Sequence, residues 1–195
     1  MRVQRVAIAS HGLLLSLVLV AAAADPQPGA KSGVTVIEDA QGDFTNPNVQ
    51  LADYDIRRVT IERKGMKTLE LTYEVAGDIE KKTAGYAMFI AKLDLDKNRK
   101  TGQDAEGIGS DINIRIYQDA NSGGWKGIVD KVSPVSAAEE FTIDKLSVRL
   151  HRVSVTISSK AFKHLDSVGF VLVVEAQGAT IDRVPDKDAM EINLQ

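Results

Sequence analysis

Hard oxygen ligands crowd into one stretch of this chain. Asp94, Asp96 and Asn98 stand at alternate positions in Leu93-Asp94-Leu95-Asp96-Lys97-Asn98-Arg99-Lys100-Thr101-Gly102. Alternate residues of an extended strand share a face, so the two carboxyls stand together, away from Leu93 and Leu95, and repel unless something positive lies between them. Asp-x-Asp-x-Asn also opens the calcium loop of helix–loop–helix proteins. The remainder departs from that loop: its sixth position is Arg99 rather than Gly, its twelfth is Ala105, and strand-like runs flank it. The stretch therefore reads as a different oxygen-rich loop, with Asp104 or Asp111 available to complete a shell. Asp39, Asp43 and Asp182 form a second candidate cluster, but only if the two ends of the chain meet. All these ligands are hard oxygens, which favours calcium over zinc or copper. The competing reading is a solvated turn whose carboxylates are neutralised by Lys97, Arg99 and Lys100.

Other chemistry is sparse. Trp125 follows Gly123-Gly124 and is the candidate ligand-binding ring, since sugars stack on exposed aromatics; edge or core packing is the commoner role for such a residue. Tyr54, Tyr73, Tyr86 and Tyr117 fit strand positions. No Gly-x-Ser-x-Gly elbow is present. Gly107-Ile108-Gly109-Ser110 lacks the third glycine of a dinucleotide loop and opens no helix. His151 falls in a hairpin connection and His164 in a polar helical turn, with no spacing that pairs either with a carboxylate. No catalytic residue is assigned.

The elements that must position these groups are short and alternate with period two. Val34-Thr35-Val36-Ile37 is a first strand. Tyr54 to Arg63 alternates with one slip at Arg57-Arg58, which a β-bulge would absorb. Leu69, Leu71, Tyr73 and Val75 alternate cleanly with polar residues, as a half-buried antiparallel strand does. Tyr86 to Leu95 is apolar nearly throughout and leads into the acidic loop. Ile112 to Tyr117 leaves it. Trp125–Val132, Lys145–Leu150, Val153–Ile157 and Val168–Ala176 read as further strands, and Met190–Leu194 as a last short one. Ser158–Leu165 offers one or two helical turns with a serine cap. Gly178–Asp188 reads as a loop. Eight to ten short strands with little helix indicate an all-β, two-sheet antiparallel sandwich, immunoglobulin-like or jelly-roll-like.

Arg2 and Arg5, the apolar run Val6–Val20 and Ala22-Ala23-Ala24 form a secretory signal pattern spanning residues 1–24. A Pro/Gly-rich leader occupies 25–33, and a single domain 34–195. The formal charge is −3, and loss of Arg2 and Arg5 takes it to −5, which argues against nucleic acid as a partner. There is no cysteine. An exported chain without disulfides is held by its core or by bound ions. The expected location is secreted or periplasmic, with no membrane span after signal cleavage.

Three motifs in order resemble the exported bacterial β-sandwich domains grouped near carbohydrate-binding module family 9 and the DOMON-like domains. They are Asp39-Ala40-Gln41-Gly42-Asp43 with Asp53-Tyr54-Asp55-Ile56, then Leu93 to Gly102, then Asp182-Arg183-Val184-Pro185-Asp186. The resemblance implies two antiparallel sheets, bound calcium, chain ends that meet, and ligand binding in place of catalysis. Sugars and haem are ligands in the wider family; one Trp and no Met/His pair depart from that pattern. The expected function is an exported, non-catalytic, calcium-stabilised binding module for a carbohydrate or another extracellular ligand, an extracellular glycan or surface component being the partner. A structural or envelope-assembly protein, and a hydrolase with dispersed carboxylates, are the alternatives.

Overall fold

The computed structural model describes residues 33–43, 54–79, 87–176 and 178–195. The signal segment, the leader up to residue 32, the Phe44–Asn48 loop, Asp53, Tyr86 and residues 80–83 of the charged loop lie outside the described residues.

Among the described residues thirteen strands follow in chain order: β1 (Val34–Glu38), β2 (Ile56–Gly65), β3 (Thr68–Val75), β4 (Ala87–Asp94), β5 (Gln103–Ala105), β6 (Ile108–Ser110), β7 (Ile112–Gln118), β8 (Trp125–Lys131), β9 (Phe141–Arg149), β10 (Arg152–Ser159), β11 (Ser167–Ala176), β12 (Ala179–Val184) and β13 (Met190–Asn193). One sheet runs β1-β2-β3-β10-β9; the other runs β12-β11-β4-β7-β8, with β13 also on β11. All ladders are antiparallel. The chain is an all-β sandwich, as the alternation predicts.

Its core lies between the sheets. Leu69, Leu71, Tyr73 and Val75 of β3 point inward and are buried, while Glu70, Thr72 and Glu74 face out. Across the sandwich, Phe89, Leu93, Ile112, Ile114, Ile116, Phe170 and Leu172 join the same cluster. Burying each such side chain stabilises by about 1.5–3 kcal/mol. On the outer face of the first sheet, Thr60, Thr72, Ser154 and Ser147 align in register, a hydroxyl row that suits water.

The continuous apolar runs of β4 and β11 have a separate cause. Ile90, Val171 and Val173 lie on the outer side of the second sheet, yet are buried, forming a small cluster with Ile108. Ile108 belongs to a hairpin, β5–β6, folded back from the acidic loop. The loop is thus partly strand, which its short glycine-rich segments conceal. A second correction concerns Gly178–Asp188: residues 179–184 are β12, paired with β11 from Leu172 to Ala176. β12 and β13 lie end to end along the side of β11 opposite β4, and 185–189 bulge out between them.

Two local expectations match. A register shift between Ile56 and Arg58 places the bulge at Arg57. Ser159 caps a 3₁₀ turn, Lys160–His164, its side chain accepting from the N–H of Ala161. A four-residue helix, Pro134–Ala137, capped by Ser133, occupies the stretch before β9.

Candidate metal centres

Two groups of three carboxylates converge among the described residues, each able to offer one oxygen with the three lying within 4.8 Å of one another: Asp94, Asp96 and Asp111, and Asp39, Asp43 and Asp186.

The first group sits where β4 runs out and β7 begins. Asp94 points to the outer side of the sheet, but the hairpin covers it and leaves it 2% exposed. Two glycines allow this cover. A Cβ on Gly109 would stand 2.5 Å from the Asn98 carbonyl oxygen, and one on Gly169 would stand 3.0 Å from Asp94 Cβ. Asp94 Oδ2 accepts from Gly109 N–H at 3.3 Å and Oδ1 from Asn98 N–H at 3.2 Å. Asp111 is fully buried; Oδ2 accepts from Leu95 N–H at 2.7 Å and Oδ1 from the Ser133 hydroxyl. Asp96 is exposed and accepts from Asn98 N–H at 2.9 Å and the Thr101 hydroxyl at 2.8 Å. Asn98 Oδ1 accepts from Lys100 N–H at 3.1 Å. Burial raises the pKa of Asp94, with the Asp111 charge adding to it. Lys97 turns away to Ser167 and Glu191, at 3.0 and 3.1 Å, so it does not neutralise the loop. Asp104 stands exposed on β5, outside the group. Every carboxylate here already has protein donors.

The second group lacks that satisfaction. Asp39 follows β1, its N–H donating to the Arg57 carbonyl at 2.9 Å. Asp43 ends the next turn, and Asp186 projects from the bulge between β12 and β13. The chain ends therefore do meet. Asp39 Oδ2 and both Asp43 side-chain oxygens are buried with no hydrogen-bond partner. Burial raises the Asp39 pKa to about 8, with the charges of Asp43, Asp182 and Asp186 acting in the same direction. Asp43 is raised by burial and by Asp186. Asp182 is 1% exposed and lies beside the group; burial brings its pKa to about 6 against the donors Ile56 N–H at 2.7 Å and Arg183 N–H at 2.8 Å. Asp55, 2% exposed, accepts from Gly42 N–H at 3.0 Å and shapes the turn that carries Asp43.

Asp186 and Asp55 escape the sequence reading of metal ligands although both stand inside its quoted motifs. The only signal for Asp186 was its place after Val184-Pro185 in a polar turn. Arg183 ties the bulge down, donating to the carbonyls of Asp186 at 3.0 Å, Lys187, and Glu106 at 2.9 Å on the β5–β6 hairpin.

Trp125 is half-buried, packed on the core with its ring centroid 6.4 Å from Phe89. No aromatic ring is among the exposed large hydrophobics of the described residues. No helix of these residues is long and apolar enough to cross a membrane. No family model matches the chain, and no curated protein matches it.

Proposed function

We propose that the protein is an exported, non-catalytic β-sandwich binding module stabilised by calcium, held by Asp39, Asp43 and Asp186. The observation that carries this reading is the set of buried, unpartnered oxygens on Asp39 and Asp43, facing a third carboxylate. Buried polar atoms in folded proteins have partners, and an orphaned one points to a missing ion or water. Three hard oxygens match calcium, which takes 6–8 oxygen ligands, backbone carbonyls and waters included. A cation there would join the β1–β2 connection to the β12–β13 edge, the service a disulfide gives in other exported domains. The resemblance to carbohydrate-binding module family 9 and DOMON-like domains points the same way.

Hydrolysis fits less well. Acid and nucleophile carboxyls of glycosidases stand about 5–5.5 Å apart, or about 6.5–9.5 Å when a water is placed between them. Here three converge within 4.8 Å, and Asp182 spends its oxygens on backbone donors.

The test is a thermal melt of the mature protein in EDTA and in millimolar calcium. At 100 times its dissociation constant a bound ion adds about 2.7 kcal/mol, and about 2–4 °C accompanies each kcal/mol in a domain of this size. The wild type is expected to melt several degrees higher in calcium, and Asp43→Asn to lose the difference. Identical melts in both buffers, with no heat of calcium binding, would overturn the reading.

A further inference from the structure

β9 ends the first sheet. It pairs with β10 on one side, and among the described residues no strand pairs with the other. It is nine residues long, about 30 Å of main-chain edge, where natural sheets keep an exposed edge short or cover it. We propose that this edge pairs antiparallel with the same edge of a second copy of the chain. The two five-stranded sheets then run on as one, across a two-fold axis between Asp144 and Lys145.

Residues 140–149 are chemically complementary to themselves when the strand is turned about that axis. Asp144 comes opposite the partner's Lys145, and Glu140 opposite the partner's Arg149. Ile143 meets the partner's Leu146, and Phe141 meets the partner's Val148. Thr142 meets the partner's Ser147. Opposite charges, apolar pairs and hydroxyl pairs are the cross-strand contacts that stabilise a sheet. The charges are free to make them. Among the described residues Glu140, Lys145 and Arg149 have no ion pair, and Asp144 accepts only from the Ser158 hydroxyl.

Alternation alone would forbid this register. Neighbours in a regular strand point to opposite faces, whereas residues opposite one another in a ladder share a face. The bulge removes the conflict. The ladder to β10 runs from Lys145 directly to Ile143, so Asp144 is the extra residue. Asp144 and Lys145 both stand exposed, while Phe141, Ile143, Leu146 and Val148 face the core. A bulge and a lysine ordinarily protect an edge, because an incoming strand matches neither. Here bulge meets bulge and lysine meets aspartate. A slip of one residue either way sets Asp144 against Asp144 or Lys145 against Lys145, and turns apolar residues onto polar ones.

Two further features point to the same partner. The inward apolar side chains of β3 and β10 are at most 3% exposed, whereas those of β9 are only half-buried, open along the free flank. A second copy covers that flank. On the outer face the hydroxyl row of Thr60, Thr72, Ser154 and Ser147 runs out at the free edge, and so does a second row of Thr68, Ser158 and Thr142. The pairing joins each row to the other row of the partner. The neighbouring edge strand, β8, offers no such match, since Lys126 is spent on Asp119 and Asp130 on Arg115.

The experiment is sedimentation velocity on the mature chain over a range of concentrations, with Asp144→Lys and Lys145→Asp as variants. The wild type is expected to form a reversible dimer. Each variant sets like charges opposite one another at both symmetry-related positions, and is expected to weaken the dimer at least about tenfold. Both changes are to exposed residues, so far-UV circular dichroism should stay that of the wild type. An equimolar mixture of the two variants is expected to recover the dimer, because each supplies the charge the other lacks; misfolding of either variant would not be rescued in this way. A wild type that sediments as a monomer at every concentration overturns the inference. So does a dimer that neither variant weakens, or a mixture that associates no better than the variants alone.

Discussion

Asp43 carries two carboxylate oxygens with neither donor nor solvent. Three carboxylates in one corner, two of them partly buried, repel, so neutralising one relieves the others. Asp39→Asn is therefore expected to raise the melting temperature in EDTA while abolishing the calcium-dependent rise. A variant that melts lower than wild type in EDTA would refute the repulsion. Asp119 shows the opposite arrangement. The ion pair with Lys126, then the N–H groups of Asn121 and Ser122 at 2.7 and 3.2 Å, hold its pKa down to about 2. Because its folded pKa lies below the unfolded one, its contribution is present above the ordinary aspartate range and is lost as pH falls toward 2. A carboxyl-carbon NMR titration should place the Asp119 midpoint near 2, and Lys126→Ala should move it up. An ordinary midpoint in the wild type would contradict the pairing.

The β5–β6 hairpin depends on a backbone that only glycine permits. Gly109 packs against Asn98 and Arg99 so closely that a methyl group would meet their main chain. Gly109→Ala is expected to cost about 1–3 kcal/mol, as overpacking does. It should also speed hydrogen exchange across 103–110; unchanged stability would show that the hairpin is not seated as described. This element was hidden from sequence reading, because three-residue strands have no measurable period. β3, β7 and β10 were legible because one face of each is dry and the other wet, which writes alternation into the chain. β12 was not, because Asp182 and Arg183 interrupt its apolar pattern with side chains that serve the acidic end. The acidic loop was legible as a cluster, yet its carboxylates are satisfied by their own loop. The unsatisfied group draws on both ends of the chain, and short-range spacing carries no record of that meeting.

At the scale of the molecule, the acidic end is a seam between the two sheets. Gly42 N–H rests on Asp55, and Ile56 N–H on Asp182, a residue of the opposite sheet. Chelation is expected to loosen this seam first. Amide exchange at Gly42 and Ile56 should accelerate in EDTA, while β4 and β7, paired on both sides, keep their protection. Uniform acceleration across both sheets would argue against a local clasp. The far side of the sandwich closes differently: Gly127 lets β8 approach β9, since a Cβ there would lie 2.7 Å from Ile143 Cδ1.

The break between β12 and β13 also bears on how copies of this chain meet. An unbroken edge strand beside β11 would offer a row of free N–H and C=O groups to any neighbour, the route by which sheet proteins polymerise. Here the row is interrupted after Val184, and Asp186, Lys187 and Asp188 stand out from it exposed. The bulge that presents a ligand oxygen thus also spoils the template for strand addition. Deleting 185–188 would splice the two strands into one straight edge, with Ala189 left to face Val171 between the Val184–Leu172 and Met190–Phe170 pairs, and light scattering should then detect self-association at concentrations where the intact chain scatters as before.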